Sequence, residues 1–341
     1  MTEQPDEKGE KDEKGDEPKR KQRYLSGLQS SGTLHLGNYF GAIRQHLDLQ
    51  VEGESFYFLA NYHALTTLHD REAVARNTFE AAATYLALGL DPSTALLYRQ
   101  SDVPEVCELT WLLLTATPMG ELERAVSYKD KVAKNIAASA GLFTYPVLMA
   151  ADILGYDSTT VPVGKDQVQH LEMAREIARS FNHQYGEKVF LEPEARLGTA
   201  PIVPGIDGAK MSKSYGNSIP IFATGKPLKK LVGKIVTDSK SMGDPLDPET
   251  CNVFALYALF ADEAEKAEMA DKYRVGAVGY GDAKKALIEK IEATFGDARA
   301  RYEHLNAHPD EVEDVLRTCG TRARAICREV TDRARAACGV A

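Results

Sequence analysis

Hydrophobic positions begin to recur only after residue 22. Arg23–Gln29 (RYLSGLQ) is a short strand-like run broken at Ser30–Gly32, and apolar side chains then return at Leu36, Tyr39, Phe40, Ile43 and Leu47 with helical spacing. Phe56–Ala60 (FYFLA) predicts a buried strand, Arg71–Leu88 an alanine-rich helix, Ala95–Tyr98 a third strand and Pro104–Leu114 a further helix. Pro146–Gly155 predicts a helix and Thr159–Val163 a short strand. Asp166–Asn182 predicts a helix opening on a capping box, with Asp166 at the N-cap and Gln169 three residues on. Short apolar strands alternating with helices imply an α/β domain whose parallel sheet is covered on both faces.

The pattern changes near residue 200. Pro201–Asn217 carries two prolines, three glycines and a lysine pair, and is expected to be a mobile loop rather than core. Beyond it the periodicity is helical throughout: Leu228–Val236, Asn252–Phe260, Glu263–Tyr273, Tyr280–Phe295 and Val312–Ala337. The expected organisation is a charged, disordered tail at 1–22, an α/β domain at 23–215, an all-helical module at 216–310 and a final helix at 311–341. Periodicity does not decide whether that last helix joins the module or packs back on the first domain.

Composition narrows the function classes. Apolar residues make up 43% of the 341 and charged residues 27%, an ordinary globular balance. No apolar run is long enough to span a bilayer, and the charged N-terminus lacks the apolar centre of a secretory signal, so no membrane partner is expected. Residues 1–23 hold eight acidic and seven basic side chains and almost nothing apolar. Five cysteines without a C-x-x-C pair argue against a disulfide framework or a thiolate metal site and point to a reducing cytoplasm. A net charge of −9 argues against a DNA-coating protein, so no DNA partner is expected.

Two segments carry chemistry. Ser26–Asn38 (SGLQSSGTLHLGN) sits between the first strand and the first helix, where open parallel sheets bind ligands. Gly32 and Gly37 allow tight turns and close approach of a purine or ribose, while Ser30, Ser31, His35 and Asn38 supply polar contacts. The segment is neither G-x-G-x-x-G nor a P-loop, which counts against dinucleotide binding and Walker-type hydrolysis. Lys210–Ser214 (KMSKS) places two lysines three residues apart beside small hydroxyls, an arrangement suited to polyphosphate oxygens. Asp152 lies in an apolar helical stretch, where an unpaired carboxylate is costly to bury. Single residues are less telling: His63 reads equally as a pocket or a structural histidine, Trp111 as helical packing, and His170 and Glu172 as solvated helix positions.

Together the glycine–histidine segment and K-M-S-K-S, about 170 residues apart, resemble the paired signatures of class I aminoacyl-tRNA synthetases. Gly120–Arg124 (GELER), Gly141–Tyr156 (GLFTYPVLMAADILGY) and Val161–Asn182 (VPVGKDQVQHLEMAREIARSFN) are specifically similar to the tryptophanyl-tRNA synthetase family. The resemblance implies a Rossmann-like catalytic domain, an all-helical anticodon-binding module, and a homodimer that charges tRNA(Trp) with L-tryptophan using ATP. It assigns Gln29, Ser30, Ser31, Gly37 and Asn38 to ATP, Gly164, Lys165 and Asp166 to the ribose, and Ile202 to the adenine edge. Lys210, Met211, Ser212, Lys213 and Ser214 would face the phosphates, with His35 and Lys131 as further catalytic candidates. Asp152 would accept the indole N–H, Met149 would line the ring, and Tyr145 and Gln167 would lie near the ammonium group. Mg2+ would ride on the ATP phosphates, and no permanent protein-bound metal is expected. Two positions depart from the family pattern: Lys165 stands where glutamate is usual, and Asn61–Tyr62 replaces a more polar pair before His63. The tyrosine-specific synthetases are the nearest rival, against which Leu148–Met149 beside Asp152 is too apolar for a phenol. A synthetase-like binding protein without catalysis is a second rival, and the intact lysine loop argues against it.

Overall fold

A computed structural model describes residues 21–28, 32–124, 139–164, 167–198 and 201–341. The expectations for the tail up to residue 20 and for Gln29, Ser30, Ser31, Lys131, Lys165 and Asp166 lie outside these residues. Five parallel strands, β1 (Arg23–Leu28), β2 (Glu54–Leu59), β3 (Ala95–Arg99), β4 (Thr160–Val163) and β5 (Glu194–Leu197), form one sheet in the order β3-β2-β1-β4-β5. The order reverses between β1 and β4, so a crevice opens there at the carboxyl ends of the strands. β5 has no counterpart in the sequence expectations, because its four residues are mostly exposed and carry no apolar run.

Alternation along the strands feeds two cores. Leu25, Phe56, Phe58, Leu96 and Tyr98 face one side of the sheet, while Tyr57, Leu59, Ala95 and Leu97 face the other. On the first side lie α5 (Glu105–Thr115), α7 (Ala140–Leu154), α8 (Val168–Tyr185) and α13 (Pro309–Cys338), which packs on β3 and α5. The second side is covered by α1 (Leu36–Asn38), α2 (Arg44–Leu49) and α4 (Arg71–Ala87). There the core continues into α9 (Gly225–Gly233), α10 (Asn252–Ala258), α11 (Glu263–Arg274) and α12 (Tyr280–Ala307). Two short helices, α3 (Asn61–Ala64) and α6 (Met119–Glu123), complete the set.

Several local expectations need correction. α7 begins at Ala140, not Pro146, because Ser139 caps it by accepting the Leu142 N–H at 3.2 Å; the proline sits inside the helix. α8 begins at Val168 with Gln167 at the N-cap position, and the capping box expected from Asp166 lies outside the described residues. The signature helix is interrupted by a π-turn at Tyr39–Ile43, where the Arg44 N–H reaches back to the Tyr39 carbonyl. Trp111 is not packed by its helix but is 67% exposed. The arginines of the last helix are mostly engaged in ion pairs. Arg324 and Arg328 meet Glu105, Arg333 forks onto Asp157, and Arg317 and Arg335 pair with Asp314 and Glu108. Among the described residues no helix is long and apolar enough to cross a membrane.

Candidate active site

The two signature segments meet although about 170 residues separate them. After β1 the chain turns at Gly32, whose φ of +111° is a conformation L side chains rarely adopt. The following turn is held by Asn38, whose side-chain oxygen accepts the His35 N–H at 3.1 Å. On the other side, residues 203–221 run back along it: the Leu36 N–H donates to the Ile219 carbonyl and the Ile221 N–H to the Leu34 carbonyl. This clamp brings Met211 against Gly37, whose N–H lies 3.4 Å from the Met211 sulfur. Lys213 Nζ donates to the Gly32 carbonyl at 2.6 Å.

The K-M-S-K-S loop is more anchored than its glycines and prolines predict. Met211 is buried in the second core. Asn217, noted from sequence only as a flank, organises the loop. Its oxygen accepts the Ser212 N–H at 2.8 Å, and its amide donates to Asp207 and to the Lys210 carbonyl. A Cβ on Gly205 would fall 2.3 Å from the Asn217 amide nitrogen, so glycine is needed for this approach. Lys210, Ser214 and Ile202 are exposed, leaving their side chains accessible from solvent.

Burial and the Lys213 charge together lower the His35 pKa to about 4, so the ring is neutral near pH 7. Its Nδ1 is buried without a hydrogen-bond partner among the described residues. Desolvation also pulls the Lys213 ammonium below the usual lysine value, partly opposed by Glu80. A partly dehydrated cation beside a neutral imidazole is a receptive setting for an anionic group.

The second part of the site lies on the α7 side of the crevice. Tyr145, Met149 and Asp152 are spaced by four and three residues, which places them on one helix face. Asp152 is 1% exposed. Its Oδ2 accepts from His63 Nε2 at 2.9 Å and from Gln100 Nε2 at 2.8 Å, whereas Oδ1 receives only Gln100, at 3.0 Å. Burial pushes the carboxyl pKa up, while the His63 and Gln100 contacts resist that rise. Nothing in the local sequence singles out Gln100. It follows β3 directly, and its carbonyl oxygen accepts the Tyr62 and His63 N–H groups, so one side chain fixes both α3 and Asp152. His63 is thereby a partner of Asp152 rather than an isolated structural histidine. Tyr145 contacts His170 through its hydroxyl and faces the His63 ring edge-on, so His170 is not simply a solvated helix position. Met149 is half-buried against the first core, and Gln167 caps α8 beside Gly164, which ends β4.

Residues 17–296 match the family described as tRNA synthetases class I (W and Y), and the chain belongs to that family. A tryptophan–tRNA ligase of Rhodopirellula baltica is 54% identical over 318 residues, covering 93% of this chain and 99% of the relative. One from Fusobacterium nucleatum is 52% identical over 319 residues, covering 93% and 98%. Among solved structures, the tryptophanyl-tRNA synthetase of Campylobacter jejuni complexed with ADP and tryptophan is 50% identical. It superposes with a TM-score of 0.88, covering 93% of this chain and 99% of the other.

Proposed function

We propose that the chain activates L-tryptophan with ATP to tryptophanyl-adenylate and diphosphate, then transfers the tryptophanyl group to the terminal adenosine of tRNA(Trp), releasing AMP. The observation that carries this reading is the junction of the two signatures, where Met211 contacts Gly37 and Lys213 reaches the Gly32 carbonyl. That junction puts a lysine loop over the crevice between β1 and β4, where a nucleotide would lie.

Activation needs no covalent enzyme intermediate. The tryptophan carboxylate oxygen attacks the α-phosphorus while the bond to the bridging oxygen of the diphosphate breaks in line. The enzyme's task is alignment and neutralisation of charge on the leaving group. Lys210 and Lys213 are assigned that charge, with Met211, Ser212 and Ser214 shaping the loop around the phosphates and His35 offering a neutral ring nitrogen. Gly37 and Asn38 border the nucleotide, Gly164 the ribose and Ile202 the adenine edge. Gln29, Ser30, Ser31, Lys131, Lys165 and Asp166 complete the assignment on the family resemblance. Mg2+ is assigned to the phosphate oxygens themselves on the family resemblance.

For the amino acid, Asp152 Oδ1 retains lone-pair capacity for the indole N–H, Met149 flanks the ring, and Tyr145 and Gln167 serve the ammonium end. Residues 23–215 are assigned to catalysis, 216–310 to the anticodon and 311–341 to the helix that returns to the sheet. We assign the working unit to a cytoplasmic homodimer, with one tRNA bridging its subunits.

ATP–diphosphate exchange tests the reading: it should run with tryptophan and not with tyrosine. Asp152→Asn removes a charged hydrogen bond from a dry site, at a cost of about 2–4 kcal/mol, or roughly 30- to 800-fold in kcat/KM for tryptophan. ATP binding alone should change much less, and wild type should reject 1-methyltryptophan. Equal exchange with tyrosine, or unaltered discrimination in the variant, would overturn the assignment.

A further inference from the structure

We propose that the junction between α12 and α13 binds a divalent transition metal ion, zinc by preference, through His304, His308 and Glu311. The three side chains are exposed, and one ligand atom from each lies within 4.8 Å of the others. His304 Nε2 is 3.1 and 3.2 Å from the two Glu311 oxygens. Zinc bonds of about 2.0–2.1 Å in tetrahedral geometry place neighbouring ligands about 3.3 Å apart, so this edge of the polyhedron is already set. The His304 and His308 rings stack with centroids 4.2 Å apart, so one ring turns about its side-chain bonds for both lone pairs to meet a single ion.

The second imidazole is held in one tautomer. His308 Nδ1 lies 2.9 Å from the His304 carbonyl. A carbonyl can only accept, so Nδ1 carries the proton and Nε2 keeps the lone pair, the device that commonly fixes a ligating histidine. Two imidazoles and one carboxylate suit zinc, copper, nickel or cobalt and are poor ligands for Mg2+ or Ca2+. Three protein ligands leave a coordination position for water. The rigid ends of a 28-residue and a 30-residue helix carry the ligands, so little backbone entropy opposes binding.

The ion would tie the last turn of α12 to the first turn of α13 across His308–Pro309. Two residues beyond Glu311, Glu313 holds Arg99 in a two-point contact at the end of β3. The bound ion is therefore a clasp between the helical segment and the helix anchored to the sheet, separate from the magnesium of the nucleotide. The H-x3-H-x2-E run crosses a helix boundary at Pro309, so it lies on no single helix face.

The full-length chain, stripped with chelator, is titrated with Co2+ and then Zn2+. One equivalent of Co2+ should produce visible d–d absorption, and Zn2+ should displace it. His308→Gln and Glu311→Gln should each weaken Zn2+ binding by roughly tenfold or more. Zn2+ should raise the Tm of wild type but not of the His304→Gln/His308→Gln double variant, while ATP–diphosphate exchange with Mg2+ and no Zn2+ stays normal in all variants. Absence of saturable one-equivalent binding, or equal affinity in wild type and variants, would show that His304 and Glu311 form only a surface hydrogen bond.

Discussion

At the residue scale, environment decides what ordinary side chains do. Lys213 is half-desolvated and rests on a backbone carbonyl, so its charge is poorly compensated within the protein. Lys213→Ala should slow adenylate formation by roughly 10²–10³-fold with little change in tryptophan affinity, since the charge it answers appears as the P–O bond breaks. Single-turnover diphosphate release beside equilibrium tryptophan binding separates the two effects. His46 shows the opposite use of burial. It is fully enclosed between Tyr57 and Tyr85, with Nδ1 2.7 Å from the Tyr85 hydroxyl, and desolvation lowers its pKa from 6.5 to about 4. The unfolded chain therefore binds a proton that the folded chain refuses between those values. The stability is present above pH 6.5 and is lost as pH falls toward 4, by about 2 kcal/mol between pH 7 and 5. Urea unfolding at both pH values should show a smaller pH-dependent loss, by about that amount, in His46→Gln.

At the element scale, α13 is held by shape as well as charge. Gly320 lets it close on the turn after β3: a Cβ there would lie 2.8 Å from the Asp102 Cβ. Alanine in a helix interior gains about 1 kcal/mol over glycine, but overpacking costs about 1–3 kcal/mol, so Gly320→Ala should be net destabilising. Gly296, within α12, has nothing within 4 Å of its would-be Cβ, so Gly296→Ala should stabilise by about 0.5–1 kcal/mol. Urea midpoints of the two variants should move in opposite directions. The same element shows where sequence reading stopped: periodicity found the helix at 312–337, but its partner is a strand about 200 residues away, and the Glu105 and Asp157 contacts have no local signature.

At the scale of the whole molecule, both faces of the sheet are closed by helices distant in sequence, and the described chain starts forming contacts at Lys21. The Gln22 carbonyl accepts the Glu54 N–H, so the pairing of the central strand β1 with β2 begins inside the segment that composition assigned to the tail. Deleting residues 1–20 retains this pairing and should leave diphosphate exchange within about twofold of wild type, because the removed sequence has no apolar anchor. Sedimentation should give a dimer for both forms. A monomeric full chain would refute the homodimer, and an inactive truncation would refute the dispensable tail.

Strand and helix order, the parallel sheet and the two signatures were legible because each depends on neighbours a few residues apart. Apolar alternation marks Phe56–Phe58, glycine marks the turn at Gly32, and lysine spacing marks the K-M-S-K-S loop. Asp152 stood out for the same reason, as a carboxylate in an apolar helix face. Tertiary structure alone decided what surrounds these residues. The Gln100 amide beneath Asp152, the Met211 sulfur against Gly37 and the exposed Trp111 all follow from segments that meet only when the sheet closes. The physical reason is range: backbone propensity and periodicity act within a turn or a strand, whereas desolvation and hydrogen-bond partnership belong to whichever distant elements the packed core brings together.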